Sequence, residues 1–112
     1  MKKLEIIVRP TVAQQVIDAL EKLGVGGLTA MQVDGFGKQK GQTGLYRGTE
    51  FAVRLLPKVK LEIVLAEEDV QAVVDKVVEV ARTGEIGDGK IFVLPVENAV
   101  RIRTGEAAEA AL

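Results

Sequence analysis

The stretch Lys58-Val59-Lys60-Leu61-Glu62-Ile63-Val64-Leu65 alternates without a break. In an extended chain Val59, Leu61, Ile63 and Leu65 fall on one side, and Lys60, Glu62 and Val64 on the other. That pattern specifies a strand with one face in a core. Lys3 to Arg9 repeats it: Leu4, Ile6 and Val8 point one way, and Lys3, Glu5, Ile7 and Arg9 the other. The rest of the chain must therefore cover one face of a sheet, and the second face must be covered as well or stay polar.

The cover comes from two helical stretches. Pro10 stops the first strand and Thr11 is the expected N-cap. Val12, Val16, Ile17, Ala19, Leu20 and Leu23 then follow helical spacing, with Gly24 as C-cap and Gly26-Gly27 as the turn. Leu28 to Val33 reads as a second strand. Glu67 to Arg82 reads as a second helix with Val70, Val73, Val74, Val77 and Ala81 inward. Its many valines lower helix propensity, which burial can override. Ile91 to Val96 is the fourth strand, and Pro95 suits the end of an edge strand. Ala99 to Gly105 reads as a short extended piece, and Glu106 to Leu112 as a loosely ordered Ala/Glu-rich tail. The order strand–helix–strand, loop, strand–helix–strand predicts one α+β domain over 1–112, a ferredoxin-like βαββαβ arrangement with an antiparallel sheet and both helices on one face. On the opposite face Lys3 and Glu5 can pair with Lys60 and Glu62 across neighbouring strands. A half-apolar, half-charged sheet face suits a subunit interface, so a ring-shaped homo-oligomer is expected.

Composition narrows the chemistry. Aromatics make up 4% of the chain, so the core is built from Val, Ile, Leu and Ala. There is no Cys and no His, which removes disulfides, thiol chemistry, imidazole bases and the usual zinc ligands. The net charge of -1 argues against a general nucleic-acid binder, so any basic site is local. Met1-Lys2-Lys3-Leu4 enters a strand at once, and no apolar run is long enough to span a bilayer. A cytoplasmic protein with no direct membrane insertion is expected.

Three polar stretches remain. The first, about residues 37–57, is too long and polar for a hairpin turn; Gly35, Gly37, Gly41, Gly44 and Gly48 alternate with Lys38, Lys40, Arg47, Arg54 and Lys58 in and beside it. Glycines admit close backbone approach and the cations favour an anionic ligand. The second, about residues 83–90, is Thr83-Gly84-Glu85-Ile86-Gly87-Asp88-Gly89-Lys90. It can wrap a polyphosphate with backbone amides, or simply connect a helix to a strand. In the third, about residues 97–112, Arg101 and Arg103 sit two apart. On an extended segment both would face one way, which suits phosphate. The alternative is a solvated edge or an ion pair with Glu97 or Glu106.

Five stretches together resemble the PII nitrogen-signalling proteins along essentially the whole chain: Gly35-Phe36-Gly37-Lys38-Gln39-Lys40-Gly41, Leu45-Tyr46-Arg47-Gly48, Leu56-Pro57-Lys58, Thr83 to Lys90, and Arg101-Ile102-Arg103-Thr104-Gly105-Glu106. The resemblance implies a homotrimer, not an enzyme, with clefts between subunits where ATP and ADP compete. It places Gly87, Asp88, Gly89 and Lys90 on one side of the cleft, Gly35, Gly37 and Lys38 on the opposing wall, and Arg101 and Arg103 of a neighbouring subunit on the phosphates. Thr29 and Val64 match positions near the adenine, with Ile7 on the same side. Gln39 would bind Mg2+ held by ATP and 2-oxoglutarate, and Lys58 would meet a carboxylate of the 2-oxo acid.

The long loop corresponds to the family's T-loop. Tyr46, Arg47, Thr49, Phe51 and Arg54 are the implied partner-binding residues, toward an ammonium channel or a nitrogen-metabolism enzyme, and a channel partner would bring the protein to the membrane periphery. The sequence departs from the family at two of these positions, Phe51 and Arg54, and at Lys38 of the cleft wall. Lys38 often corresponds to Arg, Phe51 replaces a tyrosine that many relatives have modified, and Arg54 stands where Asp is frequent. Thr49 falls where some relatives carry a phosphorylated Ser. The competing readings are a PII-like paralogue with a different effector and partner, and a small phosphate-handling enzyme of the same fold, acylphosphatase-like. The enzyme is disfavoured because no convincing nucleophile-and-base pair is present.

Overall fold

A computed structural model gives the fold, and the structure describes residues 1–37 and 54–112. Strand β1 (Lys2–Val8) leads directly into helix α1 (Pro10–Leu23), followed by β2 (Thr29–Gly35) and β3 (Leu56–Leu65). A short 3-10 turn, Glu67–Asp69, precedes α2 (Val70–Ala81), and β4 (Gly89–Pro95) completes the sheet. The strands lie in the order β2-β3-β1-β4, every neighbouring pair antiparallel. This is the ferredoxin-like α+β arrangement that the sequence predicts.

The alternating strands behave as their periodicity requires. Leu4, Ile6 and Val8 of β1 and Leu61, Ile63 and Leu65 of β3 are buried, and both helices pack on that face through Ala13, Val16, Leu20, Val73, Val77 and Ala81. Full burial of each large side chain contributes about 1.5–3 kcal/mol, which lets α2 form despite its valines.

Several local expectations are corrected. Thr11 does not cap α1: Arg9 holds the N-cap position, no side chain closes that end, and Pro10 occupies the first turn, where its fixed φ fits and its missing N–H is no loss. The buried stripe of α1 runs through Ala13, while Leu23 at the last turn is 42% exposed. Gly24 ends the helix with φ 100°, and the Val25 N–H returns to the Leu20 carbonyl at 3.0 Å.

Beyond β4 the chain is not extended. The Gly105 N–H donates to the Arg101 carbonyl at 2.7 Å and the Arg101 N–H to the Glu106 carbonyl at 2.8 Å, so Arg101 to Gly105 forms a tight turn. The tail is folded as well. Val100 pairs with Ala107, the Ala108 N–H reaches the Ala99 carbonyl and the Asn98 side-chain oxygen, and Ala108–Ala111 makes a 3-10 turn. Composition alone suggests looseness here because it says nothing of these backbone partners.

Neither helix covers the second sheet face. At its centre Glu5 stands in register with Glu62, and Lys3 and Lys60 each lie within 3.1–3.6 Å of both carboxylates. The lysines offset a repulsion between like charges placed directly opposite. Phe92 and Leu94 of β4, in register with Glu5 and Lys3, are exposed beside this cluster.

Candidate functional site

The 83–89 loop is built onto the end of β1. Gly89 pairs with Val8, and a Cβ at Gly89 would lie 1.8 Å from the Ile7 carbonyl oxygen, with φ at 117°. Only glycine allows the loop to descend this closely. Gly87 also takes a positive φ, 105°.

Asp88 holds the loop shut from inside. Its carboxylate accepts the Thr83 N–H at 2.8 Å, the Gly84 N–H at 2.9 Å and the Thr83 hydroxyl. These bonds favour the ionised form, and the Thr83 hydroxyl contributes most. With the Arg9 guanidinium also near, the Asp88 carboxyl is lowered from 3.8 to about 2. Its side chain is thus engaged within its own loop.

Two cations grip the loop's other side. Arg9 donates through Nη2 to the Ile86 carbonyl at 2.8 Å and through Nε to the Gly87 carbonyl at 3.1 Å, while Nη1 lies 3.5 Å from Asp88. Lys58 Nζ donates to the same Gly87 carbonyl at 3.1 Å. Arg9 was not among the candidate residues read from the sequence. The available signal was its place in the alternation two residues after Ile7, where continuing the β1–β4 register carries it to the glycine loop.

The predicted site residues fall into two groups. Ile7, Gly35, Lys58, Gly87, Asp88, Gly89 and Lys90 gather around the C-terminal end of β1. Ile7 is in register with Lys60 and Lys90, and Gly35 lies beside the Lys58 side chain. Thr29, Val64 and Arg101 instead line an open groove of about 700 Å³ at the other end of the sheet, together with Glu62 and Leu112. Val64 is in register with Lys3, four positions from Ile7. At about 3.3 Å per residue that is about 13 Å along the strand. Ile7 and Val64 therefore share a face but not a site within one chain.

Arg101 and Arg103 are not aligned along one face of an extended segment. The Arg101 Nη2 donates to the Leu112 main-chain oxygen at 2.8 Å, and its Nη1 lies 4.0 Å from Glu106. Arg103 sits exposed in the turn, because the turn replaces the extended geometry that would have aligned the two. Gly37 and Arg54 are exposed at the limits of the described residues. Lys38, Gln39, Tyr46, Arg47, Thr49 and Phe51 lie outside them. Among the described residues no cluster of three or more carboxylates could hold a metal ion. No helix among them is long and apolar enough to cross a membrane.

A family model described as Nitrogen regulatory protein P-II matches residues 1–106. Among curated relatives, the Nitrogen regulatory protein P-II of Cereibacter sphaeroides is 54% identical over 112 residues, all of both chains. That of Synechocystis sp. is 58% identical over 106 residues, 95% of each chain. That of Haemophilus influenzae is 51% identical over 112 residues, again all of both.

Proposed function

Because this chain belongs to the nitrogen regulatory protein P-II family, we propose that it is a homotrimeric sensor of ATP, ADP and 2-oxoglutarate, a regulator and not an enzyme. One observation carries the reading: the two groups of candidate residues lie at opposite ends of the sheet face that neither helix covers. Ile7 and Val64, about 13 Å apart along the strand, cannot both flank one adenine within a single chain. A second copy that sets its Arg101 end against the first copy's glycine loop brings the two groups together.

In that assembly the backbone of Gly87 and Gly89, with Lys90, faces the phosphates from one subunit, and Arg101 and Arg103 approach from the next. Gly35, Gly37 and Lys38 form the opposing wall, and Ile7, Thr29 and Val64 flank the adenine. Mg2+ prefers oxygen ligands, and ATP phosphates with the Gln39 side-chain oxygen and a 2-oxo acid make a suitable set. Lys58 supplies the counter-charge for a 2-oxoglutarate carboxylate. The exposed Phe92 and Leu94 on the open sheet face support burial between copies.

Signalling is a population shift. Ligand at the base of the connection between β2 and β3 favours one of its conformers, and Tyr46, Arg47, Thr49, Phe51 and Arg54 present that state to a partner. The partner is an ammonium channel or an enzyme of nitrogen metabolism, reached from the cytoplasm. A partner that prefers the ADP form must in turn raise ADP affinity.

Light scattering and calorimetry test the reading. The expected results are a solution mass of three chains, heat of binding with ATP, and further heat with 2-oxoglutarate plus Mg2+. A single-chain mass, or no nucleotide binding, overturns it. Steady turnover of a phosphate substrate at rates typical of enzymes would favour the acylphosphatase-like alternative.

A further inference from the structure

We propose that Arg9 is the positioning residue of the phosphate-binding loop, aiming the Gly87 and Asp88 amides through the carbonyls it holds; the inference rests on the nucleotide reading above. Every described peptide bond is trans, so each carbonyl and the N–H of the following residue point in opposite directions within one plane. Arg9 draws the Ile86 and Gly87 carbonyls toward itself, at 2.8 and 3.1 Å. The Gly87 and Asp88 N–H groups are thereby turned away from the guanidinium. The Gly87 N–H has no acceptor among the described residues. Two successive amides with a common orientation make an anion-binding concavity.

The effect is geometric more than electrostatic. The Arg9 charge is largely offset by Asp88, 3.5 Å away, so little of it remains to attract a phosphate. What Arg9 adds is a planar fork that fixes two adjacent peptide planes at once. Lys58 reaches only the Gly87 carbonyl and cannot fix both. A lysine at position 9 would keep the charge and lose the fork.

The test compares Arg9→Lys and Arg9→Met with the wild-type chain. In proton–nitrogen spectra of the nucleotide-free proteins, the Gly87 and Asp88 amide resonances shift in both variants while those of Leu4 and Ile6 in β1 stay in place. Unmoved Gly87 and Asp88 resonances would overturn the inference whether or not nucleotide binds. In calorimetry, both variants lose about tenfold in ATP affinity, the scale of one misplaced charge-assisted hydrogen bond, while adenosine affinity changes less than about twofold. Full ATP affinity in Arg9→Lys, or a parallel loss for adenosine, refutes a positioning role. Failure of the wild-type chain to bind ATP at all would instead remove the nucleotide reading.

Discussion

The Lys58 ammonium lies 3.1 Å from the Gly87 carbonyl oxygen, so the start of β3 and the 83–89 loop are joined by one hydrogen bond. The same ammonium is the group proposed to meet a carboxylate of 2-oxoglutarate. Acid binding must therefore take Lys58 from Gly87 or share it, which couples one ligand to the loop that faces the other.

Lys58→Ala is expected to weaken 2-oxoglutarate binding by tenfold or more, about 1.4 kcal/mol, while ADP affinity changes less than about threefold, because Arg9 still holds the Gly87 carbonyl. Calorimetry with each ligand measures this. Equal losses for both would contradict the assignment of Lys58.

Gly89→Ala should cost about 3 kcal/mol or more, since the new methyl would meet the Ile7 carbonyl at 1.8 Å in a backbone conformation that L side chains rarely adopt. Gly26→Ala, in open space, should stay within about 0.5 kcal/mol of wild type. Urea unfolding of the two variants makes the comparison; similar midpoints would refute the close approach of loop and strand.

Asp88 makes stability depend on pH in acid. Its folded value of about 2 lies below the ordinary 3.8, so the unfolded chain takes up the proton more readily. The stabilisation is complete above about pH 4 and is lost as pH falls through about 2. Asp88→Asn should flatten that part of the pH–stability curve. Carbon NMR titration of the Asp88 carboxyl checks the cause directly, and a midpoint at 3.8 or above would rule it out.

Leu20→Ala should destabilise by about 2–5 kcal/mol, because Leu20 is fully buried between the helices and the sheet. Leu23→Ala, one turn later and 42% exposed, should cost less than about 1 kcal/mol. Thermal unfolding separates them, and equal losses would mean that the helix presents a different face to the core.

The sheet and the helices were legible because their signal is local. Alternation at Leu4, Ile6 and Val8 and at Leu61, Ile63 and Leu65 fixes a face whatever surrounds it, and Gly24 marks a helix end by its own conformational freedom. What escaped depends on specific partners, near or distant in sequence, and not on periodicity. Arg9 acquires its role only when β4 brings Ile86 and Gly87 to it across 77 and 78 positions. Arg101 and Arg103 looked aligned because two-residue spacing implies a shared face in an extended chain. The Gly105 and Glu106 backbone bonds that bend the segment leave no periodicity to read. The hold of Thr83 and Gly84 on the Asp88 carboxylate likewise leaves no mark in the sequence.

In the proposed assembly, the separation of Val64 from Ile7 by four register steps also sets what a population of damaged molecules can do. A chain crippled at Lys90 keeps a sound Arg101 end, and a chain crippled at Arg101 keeps a sound glycine loop. Co-refolded as a mixture, two defective proteins would rescue one another wherever a healthy end of each meets, and the rescued fraction would follow the mixing ratio.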